Sequence, residues 1–203
     1  MKNRSVNPVS DTEQPIHPRK LEIVEAAVAC FLENGYHQTG VRDIAAKAGV
    51  SLGNLYNHFK GKEGVLAFIA QIEGAELAGF IAALSDPADP RAAIEQFIEG
   101  YAAYVSLPEN ALLGVEILTE ATRNPAIANV FAENRDRLID ALAHCLEVGA
   151  RSGAFASFND TRAVACVFLD ALEGHGLRSL SLKNEDHTTS KALKSFLING
   201  LRC

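Results

Sequence analysis

The run from Ser51 to Lys62, Ser-Leu-Gly-Asn-Leu-Tyr-Asn-His-Phe-Lys-Gly-Lys, carries side chains suited to reading and gripping a nucleic acid. An asparagine can hydrogen-bond adenine N6 and N7 together, and Asn54 and Asn57 stand three apart, the spacing of one helical face. Wound at roughly 100° per residue, the segment puts Leu52, Leu55 and Phe59 on one side and Gly53, Asn54 and Asn57 on the other. Tyr56 and His58 fall on the two flanks, where they can reach phosphates, and Gly53 lets the backbone approach a groove. Thr39, Lys60 and Lys62 add donors near helix starts, whose dipoles attract phosphate. Arg42, Ser51 and Leu52 complete this candidate set of nucleic-acid contacts.

Other residues invite different chemistry. Glu116 and Glu120 lie four apart on one helical face and could attract a cationic ligand or act as general acid and base, although carboxylates at this spacing usually face water. His144 adjoins Cys145, but neighbouring helical residues point about 100° apart and do not form a Cys/His nucleophile. Phe97, Tyr101, Tyr104, Phe131 and Phe168 lie on apolar helices, as simple core or as the lining of a small-molecule pocket, with Glu116, Glu120 and His175 as the polar candidates beside them. His175 stands between Gly174 and Gly176 in a segment rich in Val, Leu and Phe, where it needs a partner. No phosphate loop, metal spacing or nucleophile constellation points to an enzyme, and no cofactor is expected.

These groups need elements to hold them. The first seventeen residues are polar, contain Pro8 and Pro15, show no periodicity and are expected as a flexible tail. From Pro18 apolar residues recur at three- and four-residue intervals, giving a helix over about 18–34 that stops at Gly35. A second short helix over 40–47 is expected with Thr39 as cap, and a third over 52–58 with Ser51 as cap. Small residues, Ala45 and Gly49, suit a steep crossing between them. Longer helices follow over about 62–84, 91–106, 110–122, 125–149, 161–182 and 190–201, with Asp89-Pro90 and Asn124-Pro125 as starts. No alternating strand is found, so the fold class is all-α with about nine helices.

The chain has 203 residues, 48% of them hydrophobic and 22% charged, which fits a globular protein with a buried core. Its net charge of −6 is uneven: residues 1–64 carry eight Lys/Arg against seven Asp/Glu, and residues 65–203 eleven against eighteen. A small basic module on an acidic body suits specific DNA binding rather than nonspecific coating. No stretch of 18 apolar residues lacks a charge and no signal sequence is seen, so a cytoplasmic protein without membrane contact is expected. Cys30, Cys145, Cys166 and Cys203 are scattered and read as reduced thiols.

Gly35-Tyr36, Thr39, Val41-Arg42-Asp43-Ile44-Ala45, Ala48-Gly49-Val50-Ser51, Gly53-Asn54-Leu55-Tyr56, His58-Phe59 and Lys60-x-Lys62-Glu63 closely resemble the DNA-binding domain of TetR-family transcriptional repressors. Gly40, Asn57 and Gly64 depart from the common pattern. The resemblance covers about 18–66 and implies a helix-turn-helix, phosphate contacts from Thr39, Tyr56 and Lys62, and base reading from the start and outer face of the third helix. Residues 67–203 are loosely similar to the family's C-terminal domains, which implies ligand binding and dimerisation there. The expected partners are double-stranded operator DNA, a small-molecule effector and a second copy of the chain. Val164, Val167, Phe168, Ala171, Leu172, Gly174 and Gly176 are the candidate dimer contacts, because their helix is apolar around much of its circumference and its glycines allow close approach.

Overall fold

The computed structural model describes residues 17–180 and 187–202. Residues 1–16 of the expected tail, the expected continuation of the eighth helix to 182, and Cys203 lie outside the described residues, whereas His17, expected in that tail, caps the first helix by accepting from the Arg19 N–H.

Three helices form the N-terminal head: α1 (Pro18–Asn34), α2 (Val41–Lys47) and α3 (Leu52–His58). Gly35 ends α1 with φ 81°, a conformation that favours glycine, and its N–H bonds the Phe31 carbonyl. Thr39 does not cap α2 as expected: Gly40 holds that position and its N–H donates to Asp43 Oδ2 at 2.8 Å, while the Thr39 hydroxyl turns back to the carbonyls of Cys30 and Gly35. Gly49 serves conformation rather than close packing, since its φ is +65° and a Cβ there would meet nothing within 4 Å. Ser51 caps α3 as expected, accepting from Asn54 N–H at 3.1 Å.

A helix of seven residues spans only about 10 Å and is unstable alone. Leu55 and Phe59 anchor α3 by burying themselves among Ile23, Ala27, Phe31, Ile44 and Ala45, worth roughly 3–6 kcal/mol for the pair.

The body contains α4 (Lys62–Ser85), α5 (Pro90–Val105), α6 (Pro108–Ala121), α7 (Pro125–Arg151), α8 (Thr161–Ser179) and α9 (His187–Gly200), nine helices in all among the described residues. Helix α6 begins at Pro108, two residues before the expected start, because proline is at ease in a first helical turn. Asp89, Asn124 and Asp160 cap α5, α7 and α8 with side-chain acceptors.

Helix α4 is long and apolar enough to cross a membrane, yet its large side chains feed two cores. Val65, Leu66, Phe68 and Ile69 join the head cluster, and Leu77 and Leu84 join the body cluster with Ile94, Phe97, Leu138, Leu142 and Leu169. Its exposed face is filled largely by small residues such as Ala75, Ala78, Gly79, Ala82 and Ala83. The head core does not stop at α4, for Leu113 and Ile117 of α6 and Ile127 and Phe131 of α7 pack against it.

Candidate nucleic-acid interface

The sequence places the polar face of α3 outward and the structure agrees in geometry: Gly53, Tyr56 and Asn57 are exposed, Tyr56 to 52%. Ser51, Arg42 and Lys60 are exposed beside it, and Leu52 and Asn54 are half-buried. His58 is half-buried at the end of α3, its ring 5.4 Å from that of His17, which caps α1. Thr39 and Lys62 sit differently from these, behind the reading face. Thr39 is 2% exposed. The Lys62 ammonium donates to the carbonyls of Tyr36 at 2.9 Å and Thr39 at 3.3 Å, and lies 4.3 Å from the centre of the Tyr36 ring.

The turn Gly35–Gly40 is thus held from several directions. Tyr36 packs against Phe31 with ring centres 5.0 Å apart and the ring planes tilted at 56°. From the body, Glu116 Oε2 accepts the Tyr36 N–H at 2.8 Å, and Glu120 Oε2 lies 2.8 Å from His37 Nε2. Glu120 is buried and His37 is exposed, so the pair closes the seam between head and body at its rim. Burial, with Glu63 and Glu120 nearby, pushes the Tyr36 hydroxyl well above its usual range and keeps it protonated.

Glu116 and Glu120 therefore lie apart from the aromatic residues grouped with them in the sequence. Phe97 and Tyr101 stack with centres 5.2 Å apart, Tyr104 stacks on Tyr101, and Phe80 of α4 meets all three rings edge-on. Phe131 packs with the head cluster, Phe168 in the body core, and His175 is half-buried on α8.

Polar groups that the sequence reading did not single out surround the aromatic group. The Tyr101 hydroxyl donates to Glu173 at 3.0 Å, Arg135 lies 3.5 Å from the same carboxylate, and Asn134 donates to Glu73 at 2.8 Å. Burial pushes both the Glu73 and Glu173 carboxyls up; Asn134 opposes this at Glu73, and Arg135 and Tyr101 oppose it at Glu173. The signal for Glu73 is an acidic residue that, with Glu76, interrupts a largely apolar helix α4.

On α8, Phe168, Leu172 and Gly176 are buried within the protomer. A Cβ on Gly176 would lie 2.6 Å from the Val105 carbonyl oxygen, so this glycine admits α5 of the same chain. Val164 and Ala171 are half-buried, whereas Gly174 and Val167 are exposed, the latter to 60%.

Residues 23–68 match the profile described as bacterial regulatory proteins, tetR family. The transcriptional regulator UidR of Escherichia coli K12 is 28% identical over 162 residues, covering 77% of this chain and 79% of that protein. The chain resembles TetR-family bacterial regulators, most plainly over residues 23–68.

The repressor AcnR of Corynebacterium diphtheriae is 27% identical over 145 residues, 71% of each chain. Among solved structures, Salmonella enterica GusR superposes with a TM-score of 0.76 at 25% identity, covering 92% of this chain and 96% of that one. FadR of Bacillus halodurans, a fatty acid degradation regulator, reaches a TM-score of 0.81 at 23% identity over 93% of this chain and 99% of its own, a likeness of fold. The chain is accordingly similar, over most of its length, to transcriptional regulators with an N-terminal helix-turn-helix.

Proposed function

We propose that the protein is a homodimeric, ligand-responsive repressor that binds a pseudo-palindromic operator and is released by a small-molecule effector. The observation that carries this reading is the short, uncharged, exposed face of α3 held on a packed three-helix core. Asn54 and Asn57 read base edges from the start and outer face of α3 while Gly53 admits the backbone to the groove. Arg42, Ser51, Leu52, Tyr56, His58 and Lys60 contact the surrounding backbone and groove walls. Thr39 and Lys62 serve the same grip by fixing the turn that carries α2, rather than as free phosphate ligands.

Dimerisation through the outer faces of α8 and α9 supplies the second reading head. Val167, exposed to 60%, and Phe196, exposed to 74%, give those faces apolar anchors, flanked by Val164, Ala171 and Gly174. In such a dimer the two α3 helices enter successive major grooves about 34–36 Å apart, or a multiple of that distance.

The effector binds beside Phe80, Phe97, Tyr101 and Tyr104, among the carboxylates and amide that line the aromatic group. Phe80 and Glu73 are on α4, whose first turns lie in the head core, so a ligand that displaces them changes the spacing of the heads. Its effect equals its differential affinity for the two arrangements. A solved relative, FadR of Bacillus subtilis, is described in complex with stearoyl-CoA, which supports a ligand-binding body in this fold.

The test is capture of genomic fragments by purified protein at fixed salt, followed by footprinting. An inverted repeat protected as two half-sites is expected; recovery of no specific fragment would count against the reading.

A further inference from the structure

The seam between α6 and the turn Gly35–Gly40 ties the head to the body through a helix other than α4. Glu116 reaches a backbone N–H of the turn, and Glu120 reaches the side chain of the next residue. Lys62, the first residue of α4, holds the carbonyls of Tyr36, His37 and Thr39 in the same turn. The turn therefore has one attachment on the helix that links the two cores and a second on a helix belonging to the body. Two polar anchors on different helices, added to the apolar packing of Leu113, Ile117, Ile127 and Phe131 on the head core, resist rotation of the head.

We propose that Glu116, Glu120 and His37 are positioning residues for DNA reading: they set the separation of half-sites that the dimer accepts. None of the three lies on α3, so they touch no base and act through the turn. Fixing the head before DNA arrives removes an ordering cost from binding, and removes it only for operators whose half-sites match the fixed angle. The seam thus converts a carboxylate pair on the body into a spacing preference. This inference rests on the repressor reading, and the experiment separates the two.

His37→Ala and Glu116→Ala remove one anchor each at residues that are exposed or half-buried, and His37→Arg keeps a nitrogen donor opposite Glu120. In DNA-free protein, amide hydrogen exchange is expected to quicken at residues 36–40 and along α6 in both alanine variants, with the α7 and α8 core unchanged. The same proteins are then titrated with a fluorescent duplex bearing the footprinted repeat, and with duplexes carrying one or two base pairs inserted at its centre. Wild type discriminates against the insertions, the alanine variants lose about tenfold of that discrimination, and His37→Arg retains it. Discrimination against single base changes within a half-site stays the same in all four proteins, which a merely destabilised head would not preserve.

Unchanged exchange at α6, or spacing discrimination equal to wild type in both alanine variants, overturns the proposal. Failure to recover any operator overturns the repressor reading instead, and the exchange measurement still decides whether the seam restrains the head.

Discussion

Replacing Lys62 with methionine separates two roles for its ammonium. In the structure it is committed to the carbonyls of Tyr36 and Thr39 and to the Tyr36 ring. A hydrogen bond to a charged group contributes about 1.5–3 kcal/mol when sheltered, and partial exposure of Lys62 reduces this. Methionine keeps the apolar stem, so the expected loss is about 1–2 kcal/mol, dominated by carbonyls left without a strong donor. At roughly 2–4 °C per kcal/mol for a chain of this size, the melting temperature falls by about 2–8 °C. The assay pairs urea unfolding, followed by helical circular dichroism, with operator affinity measured across a salt series. An internal clamp predicts lowered stability and weaker binding at every salt, with the slope of log affinity against log salt unchanged. Unchanged stability together with a slope reduced by about one would refute the reasoning, because that is the mark of a cation spent on phosphate. Lys60→Ala, at an exposed position in the same segment, is the positive control and lowers the slope by about one.

Other outcomes follow from the same geometry. Asn57→Ala relaxes base preference by about 1–3 kcal/mol at one operator position and leaves stability unchanged, as measured with a panel of substituted duplexes. Gly176→Ala costs about 1–3 kcal/mol in urea unfolding, since its Cβ would meet the Val105 backbone, which cannot rotate aside. Val167→Asp combined with Phe196→Asp yields monomers in sedimentation experiments and abolishes operator binding; a stable dimer would place the interface elsewhere. The raised Glu73 and Glu173 carboxyls stabilise the fold in their neutral form, a contribution that is full at acid pH and lost as pH rises through their raised values. Glu73→Gln therefore gains stability relative to wild type as pH rises from the ordinary carboxylate range through the raised Glu73 value, and a difference that stays constant across that rise would contradict the assigned burial.

The helices were legible because their signals are local. Pro90 and Pro125 after capping Asp89 and Asn124, Gly35 after α1, and Ser51 before α3 each act within a few residues. Thr39 misled for a related reason: its hydroxyl had a local alternative in the carbonyls of α1, and Asp43 was available to serve Gly40. The site was less legible where partners are remote. Asn134 meets Glu73 across 61 residues and Tyr101 meets Glu173 across 72, so no window of sequence brings them together. Glu116 and Glu120 were visible as a pair, but the turn they face lies 80 residues from Glu116, and helical periodicity shows which residues share a face without saying what the face meets.

The packing of Leu113, Ile117, Ile127 and Phe131 onto the head core bears on how such a chain can be recombined. A cut after residue 66 would divide one hydrophobic cluster, leaving the excised head with bare apolar surface and the remnant with a stripe on α6 that has lost its cover. Chimeras that exchange heads between bodies must carry the matching surface of α6 and the first turns of α7 with them, so the exchangeable unit is discontinuous in sequence although its reading helix is not.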